Sequence, residues 1–194
     1  MMPTQSAILS DHHHHQFSTQ KFTITIELRP LTMLPPISLS SLTPREAITD
    51  ALSRCILGLD TNSRPLFESA CLQDSTMTIA IGPTVVSGWP AISAFFERVF
   101  QVITTHIISN VRIAVEDGAD TATLSAHAIS YHIREEDKLS VEDTSYTAGS
   151  LYDIEVVRDK GDGLWKIRRW GFKILWTKGE RAVLFGDEEV ATVE

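Results

Sequence analysis

Three histidines and one aspartate are the residues of this sequence whose types and spacing could support acid–base chemistry. Of the seven histidines, four stand in a row at 12–15, which leaves His106, His127 and His132 for the rest of the chain. Alternation along the predicted strands puts His106 and His132 on one face of a sheet and His127 on the other. Asp60 extends the apolar face of the first predicted helix, so its carboxylate is directed at the same sheet.

A carboxylate in that position is costly unless it is paired or hydrogen-bonded. Asp60 either caps the turn at 61–63 or pairs with a histidine of the sheet, and the sequence leaves both interpretations open. In the second case the carboxylate holds the imidazole in one tautomer and stabilises its cation, which makes a general base at neutral pH. Asp60, His106 and His132 are therefore the candidate catalytic residues.

The elements that must position these residues are predicted as three helices and a small hairpin, followed by four long strands. A capping box at 43–46, with Pro44 at the first helical position, begins the first helix, and 89–104 predicts the third. The long strands are predicted at 106–115, 121–134, 143–158 and 164–176. This order indicates an α+β fold in which one antiparallel or mixed sheet curls around the helices.

The chain is predicted to consist of one domain with an extension at each end. Residues 1–42 contain the histidine run, and Pro30, Pro35 and Pro36 interrupt regular structure, so they are predicted as a flexible N-terminal extension, and no function is assigned to the run. The folded domain is predicted over 43–180. Residues 181–194 are predicted as an acidic C-terminal tail.

The charge balance excludes several classes of protein. The 194 residues contain 17 Lys and Arg against 25 Asp and Glu, a formal net charge of −8. Such an acidic chain is a poor partner for nucleic acid or an anionic membrane, and neither is expected as a partner.

No segment has the apolar length needed to span a bilayer. Cys55 and Cys71 are too few for a disulfide scaffold, and a reduced, cytoplasmic protein is predicted.

The last predicted strand has one apolar and one wetter face. Its apolar face is predicted to consist of Trp170, Phe172, Ile174 and Trp176. Small residues at 126 and 128 oppose these large side chains, an arrangement that serves either a ligand cavity or a tightly packed core. The pattern by itself favours the core.

Short strings, taken in their order and spacing, carry a family resemblance. They are LGLD at 57–60, TTH at 104–106, SNV at 109–111, GSLYD at 149–153 and LWKIRR at 164–169. Together with His132 at the end of its strand, they resemble the nuclear-transport-factor-2-like superfamily, in particular its SnoaL-like and scytalone-dehydratase-like branch. The resemblance covers about residues 43–180. It implies a cone-shaped, cystatin-like α+β barrel, whose curved sheet encloses an apolar pocket.

The resemblance also implies site residues. By position, Asp60 corresponds to the aspartate that orients a histidine in scytalone dehydratase, and His106 and His132 correspond to its two pocket histidines. Tyr152 falls near a pocket asparagine of that enzyme, and the apolar pocket wall corresponds to Trp170, Phe172 and Ile174. The two tyrosines that hold a water against the substrate carbonyl there are replaced by Leu59 and, approximately, Ile79. A different substrate is therefore expected.

Two functions of different class remain open. The first is a cofactor-independent dehydratase, isomerase or cyclase for a hydrophobic, carbonyl-bearing small molecule such as a polyketide or terpenoid intermediate. In it, His106 or His132 removes a proton α to the carbonyl, and Asn110 and Tyr152 hydrogen-bond the developing enolate. The second is a non-catalytic small-molecule-binding or assembly module, in which the histidines are hydrogen-bonded interior residues.

Two further functional hypotheses have less support in the sequence. Asp60, His106 and His132 could form a two-histidine, one-carboxylate metal site, but their predicted surroundings are apolar and no metal is expected. The small subunit of a ring-hydroxylating dioxygenase shares the fold, but it would need a large partner that the sequence does not reveal. The resemblance also implies a homodimer formed through the outer face of the sheet.

Overall fold

Helices and strands follow the predicted order in the computed structural model, which describes residues 36–140 and 144–190, with side chains up to Gly186. The helices are α1 Pro44–Asp60, α2 Arg64–Ser69, α3 Trp89–Phe96 and α4 Ala182–Val190. The strands are β1 Thr78–Ile81, β2 Thr84–Ser87, β3 Ile103–Ala114, β4 Thr121–Ile133, β5 Tyr146–Arg158 and β6 Trp165–Gly179. Of the predicted N-terminal extension, residues 1–35 lie outside the described residues.

Helix α1 begins at the predicted capping box and ends on Asp60. The Thr43 backbone N–H donates to the Glu46 carboxylate over 2.7 Å, and the Glu46 backbone N–H donates to the Thr43 hydroxyl. Gly58 allows α2 to pack directly against the last turn of α1, because a Cβ there would overlap the backbone of Phe67. The capping box fixes where α1 begins, and the close packing at Gly58 fixes its last turn, and therefore the position of Asp60, against α2.

The strands form one sheet in the order β2-β1-β6-β5-β4-β3. Strands β3 to β6 form the predicted antiparallel meander, whereas β1 pairs with β6 in parallel. The sheet is curved and not closed, with β2 and β3 as its edges, and the buried face of α1 packs in its concave side. The predicted α+β fold class with a mixed sheet wrapped around helices is confirmed.

Two elements differ from their predictions. The third helix was predicted to run to residue 104, but α3 ends at Phe96 and a short 3-10 turn, Val99–Gln101, leads into β3. The predicted acidic tail contains α4, which is interrupted at Gly186 and buries Val183. Among the described residues, no helix is both long and apolar enough to cross a membrane.

Register shifts in the strands change which side chains face the helices. Asn110 has a positive φ of 54° and lies in the register shift between Ser109 and Arg112, so odd-numbered residues face inward beyond it. In β6 one shift lies between Arg169 and Ile167 and another follows Ile174, and Trp176 pairs with Gly149 on the outer face. Trp176 was predicted to share the face of Trp170, and this prediction was wrong.

Candidate active site

Asp60 and His106 form a hydrogen-bonded pair at the junction of α1 and β3. Nδ1 of His106 lies 2.6 Å from Oδ1 of Asp60, and the backbone N–H of His106 donates to Oδ2 over 2.9 Å. Both side chains are largely buried, with 6% of His106 and 16% of Asp60 exposed. An ionised carboxylate only accepts hydrogen bonds, so Nδ1 of His106 is the donor in this pair, and Nε2 is the basic nitrogen of the neutral tautomer.

The pKa of Asp60 keeps the carboxylate ionised at neutral pH. Burial raises this pKa, but hydrogen bonds and charge interaction with His106, together with the Thr104 hydroxyl, outweigh burial and bring it below its ordinary value. Of the two interpretations of Asp60, the structure therefore shows the second, in which its carboxylate pairs with a histidine of the sheet. The turn after α1 has a separate hydrogen bond, which the Thr61 hydroxyl donates to the carbonyl of Leu57.

His132 lies beside His106 on the neighbouring strand but in a different state. The ring centroids are 6.0 Å apart, with the rings nearly perpendicular. Its Nδ1–H donates to the carbonyl of Tyr146 over 3.0 Å, which leaves Nε2 as an acceptor. Burial lowers the pKa of His132 to about 4, so this imidazole is neutral at physiological pH. The two predicted pocket histidines are therefore adjacent and not equivalent.

Both histidines line an apolar cavity of about 100 Å³ between the sheet, α3 and α4. Trp170 and Phe172 form one wall, with their rings stacked at 4.5 Å between centroids, and Ile174 lies at the exposed rim. Tyr152 is buried against the rings of Trp170 and Phe172, and burial raises the pKa of its hydroxyl well above the ordinary value. It is therefore a neutral phenol that can donate a hydrogen bond.

Comparison with known proteins identifies the family. Residues 40–171 match the SnoaL-like domain. The chain belongs to the SnoaL-like family. It is also 36% identical over 150 residues to the terrestric acid biosynthesis cluster protein E of Penicillium crustosum, an alignment that covers 76% of this chain and 94% of that protein.

Solved structures share the fold of this SnoaL-like domain at low sequence identity. A protein of Novosphingobium aromaticivorans assigned as a scytalone dehydratase is 19% identical, with a TM-score of 0.60 over 71% of this chain and 87% of that one. A second protein of that organism, described as NTF2-like with a cystatin-like fold, is 20% identical, with a TM-score of 0.52 over 72% and 85% of the two chains. These likenesses confirm the predicted fold.

Asn110 lies apart from this cavity, which corrects its prediction as a pocket donor. The bulge at Asn110 brings its side-chain amide to the outer face of the sheet, where the amide nitrogen is 3.2 Å from Nδ1 of His127. Both residues line a wider, open groove of about 670 Å³ on that face, together with Arg169 and Lys173. The groove is larger than the inner cavity, but neither Asp60 nor a second histidine lines it.

Several lining residues of the SnoaL-like domain were not predicted. Ser130 and Ser150 contribute hydroxyl groups, and Leu184 and Phe185 of α4 close one side of the cavity. Ser150 shares the strand alternation of Tyr152, which is a signal that could have identified it. For Leu184 and Phe185 the signal was the apolar string at 182–185 before the acidic run.

The pair and His132 do not form a metal-ligating group. In the part of the chain that the structure describes, no three His, Cys, Asp or Glu side chains are arranged to hold a metal ion. Oδ1 of Asp60 already accepts two hydrogen bonds, and Nδ1 of each histidine has a protein acceptor. The carboxylate that a two-histidine, one-carboxylate site would require is thus already held by hydrogen bonds from Thr104 and His106.

Proposed function

We propose that this SnoaL-like protein is a cofactor-independent dehydratase or isomerase, with a cyclase as a related possibility, for a hydrophobic, carbonyl-bearing small molecule. One observation carries the proposal: the Asp60 carboxylate holds Nδ1 of His106 at 2.6 Å beside an apolar cavity that His106 lines. The relative from a biosynthesis cluster supports a substrate from secondary metabolism, such as a polyketide or terpenoid intermediate.

In this proposal His106 is the general base. Because Nδ1 is bonded to Asp60, Nε2 is the nitrogen that accepts a proton from the carbon α to the substrate carbonyl. The breaking C–H bond leaves an enolate, and Asp60 stabilises the imidazolium that forms. In a dehydration, the enolate reforms the carbonyl as the bond to the β-hydroxyl breaks, and His106 returns its proton so that water leaves. In an isomerisation, the proton returns to another carbon.

His132 and Tyr152 have supporting roles because neither is charged at neutral pH. His132 has a pKa of about 4, so it cannot serve as the acid, and its Nε2 accepts a hydrogen bond from a substrate hydroxyl. Burial raises the pKa of Tyr152, so its hydroxyl remains a donor that can stabilise the oxygen of the enolate. Trp170 and Phe172 pack against the ring of the substrate.

Entry of such a substrate requires movement at the cavity mouth. A volume of about 100 Å³ is smaller than the roughly 300–1,000 Å³ that ligand pockets usually measure. Leu184 and Phe185 reach the cavity from α4, whose backbone is interrupted at Gly186. Displacement of this segment is the change that enlarges the cavity with least disturbance of the sheet.

The small cavity is the observation that favours the alternative function, a non-catalytic binding or assembly module. In that case the hydrogen bonds of His106 and His132 would serve stability alone. The two functions differ in the expected behaviour of conservative variants. Asp60→Asn would leave a binding module able to hold its ligand, but it would remove turnover from the enzyme.

The test begins with metabolite profiling after deletion of the gene, which identifies an accumulating compound, and continues with that compound and the purified protein. We expect conversion without added cofactor, and a loss of at least about 100-fold in kcat for His106→Ala and Asp60→Asn. The control is His127→Ala, which changes an exposed histidine of the outer face and should leave kcat unchanged. Equal kcat in all four proteins would refute the proposal.

We also propose a homodimer in a reduced, cytoplasmic compartment. Ile107 and Ile129 are paired on the outer face of the sheet, and Trp176 covers Gly149 beside them. About half of the Ile107 and Trp176 side chains is exposed, which supports a covered surface in the assembled protein. Both cysteines are free and buried, which fits a reducing environment. Sedimentation should show a dimer that Trp176→Glu weakens, and a monomeric native protein would exclude it.

A further inference from the structure

The carboxylate of Asp60 occupies a position that is unfavourable without specific partners. It belongs to the last residue of α1, where the carbonyl end of the helix carries partial negative charge. It is also mostly buried. Three donors offset these costs, and all of them come from two residues of β3: the hydroxyl of Thr104, the backbone N–H of His106 and Nδ1–H of His106.

Thr104 is built into this arrangement. Its side chain is on the inner face of β3, directly opposite His132 of β4, and only 3% of the residue is exposed. Its hydroxyl lies 2.8 Å from Oδ1 of Asp60, the same oxygen that accepts from Nδ1 of His106. The backbone N–H of His106 holds Oδ2, so the hydroxyl of Thr104 decides how Oδ1 is presented to the imidazole.

We propose that Thr104 is a positioning residue, whose hydroxyl holds Oδ1 of Asp60 against Nδ1 of His106 and moderates proton uptake by the pair. The catalytic consequence rests on the proposed function, but the positioning does not. The hydroxyl of Thr104 donates its hydrogen bond to Asp60, so it acts on His106 through that carboxylate.

The direction of its effect follows from the shared oxygen. Two donors to one oxygen compete, so the hydrogen bond from Thr104 is strongest when His106 is neutral and weaker when the imidazolium claims the same charge. The hydroxyl therefore stabilises the unprotonated pair more than the protonated pair. Its removal leaves more negative charge on Asp60, and the pair takes up its proton at a higher pH.

Other titratable groups near the carboxylate stay the same when Thr104 is changed. Cys55 of α1, His132 of β4 and Tyr152 of β5 each interact with the charge of Asp60. None of them donates a hydrogen bond to Oδ1. A comparison of variants at residue 104 therefore reports on the hydroxyl itself.

The experiment is a pH titration of the His106 ring by ¹⁵N-detected NMR of the full chain without substrate, with the signals assigned by their loss in His106→Gln. Thr104→Val removes the hydroxyl and keeps the branched shape. Thr104→Ser keeps the hydroxyl, so it should restore the native behaviour. Thr105→Val is the matched control, because Thr105 is the next residue of β3 and is exposed on the opposite face.

We expect the midpoint of proton uptake to rise by roughly half a pH unit in Thr104→Val, a threefold change in proton affinity. Thr104→Ser and Thr105→Val should titrate as the native protein does. An unchanged midpoint in Thr104→Val, or an equal rise in Thr104→Ser, overturns the proposal. Circular dichroism checks the fold of each variant, and Thr104→Ala against Thr104→Ser supplies the same comparison if the valine variant does not fold. No turnover is measured in this titration, so its result tests the role of Thr104 even if the proposed enzyme function is wrong.

Discussion

Protonation of His132 should destabilise the folded protein in mild acid. The imidazole is 5% exposed, its Nδ1–H is bonded to the carbonyl of Tyr146, and burial lowers its pKa from 6.5 to about 4. The unfolded chain therefore binds a proton at this residue at a higher pH than the folded protein does. Unfolding free energy must decrease as the pH falls through the interval between these two values.

The magnitude follows from the size of that interval. A decrease from pH 7 to pH 5 populates the protonated unfolded state and is expected to remove about 2 kcal/mol of unfolding free energy. Below about pH 4 the folded form also binds the proton, and the contribution of His132 no longer changes. Most carboxylates of the unfolded chain are still ionised at pH 5, so this window isolates His132 from them.

The assay is urea unfolding at several pH values between 5 and 7, for the native protein and for His132→Asn. The asparagine amide can donate to the Tyr146 carbonyl as Nδ1–H does, but it does not titrate. We expect the pH-dependent loss of unfolding free energy to be smaller by about 2 kcal/mol in His132→Asn. His127→Asn, which changes an exposed histidine, should behave as the native protein does. An identical pH dependence in His132→Asn would refute the buried, neutral state of this imidazole.

Two further predictions concern the elements around the site. Gly58→Ala should lower the unfolding free energy measured in urea by about 1–3 kcal/mol, because the new Cβ overlaps the backbone of Phe67. The control is Gly161→Ala, whose Cβ meets only the Asp159 side chain. Equal stability of the two variants would contradict the close approach of α1 and α2. Phe185→Ala should increase binding of an apolar fluorescent dye such as anilinonaphthalene sulfonate, because Phe185 lines the cavity; unchanged dye fluorescence would show that α4 does not limit access.

The Asp60–His106 pair could be predicted from the sequence because two regular periodicities, one of the helix and one of the strand, place its two residues. Helical spacing carries the buried face of α1 to Asp60, and strand alternation directs His106 inward from β3. Neither period required knowledge of a turn or a bulge. The same alternation placed His132 and Tyr152 inside, because β4 and β5 pair without interruption in this region.

Asn110 shows where alternation fails. A single residue with a left-handed backbone shifts the register of β3, and side-chain pattern alone does not reveal it. Asparagine tolerates this conformation better than most residues, so an asparagine within a strand is a weak warning of such a shift. The same kind of shift after Ile174 moved Trp176 to the outer face.

The end of the third helix illustrates a competition between patterns. Val99 and Phe100 continue the apolar spacing of α3, which favoured a longer helix. The β-branched run that follows at 102–105 has strand propensity. It forms part of β3 instead of the helix, because Thr104 and His106 pair with β4. At the other end of the chain, the acidic residues obscured the apolar string of α4.

In the proposed mechanism, Nε2 of His106 removes a proton α to a carbonyl inside the cavity. The most direct measurement is deuterium incorporation at that carbon, followed by mass spectrometry and NMR, when the compound that accumulates in the deletion strain is incubated with the purified protein in heavy water. We predict incorporation with the native protein and a loss of at least about 100-fold in its rate with His106→Ala. Absence of exchange with the native protein, or equal exchange with His106→Ala, would contradict the claim.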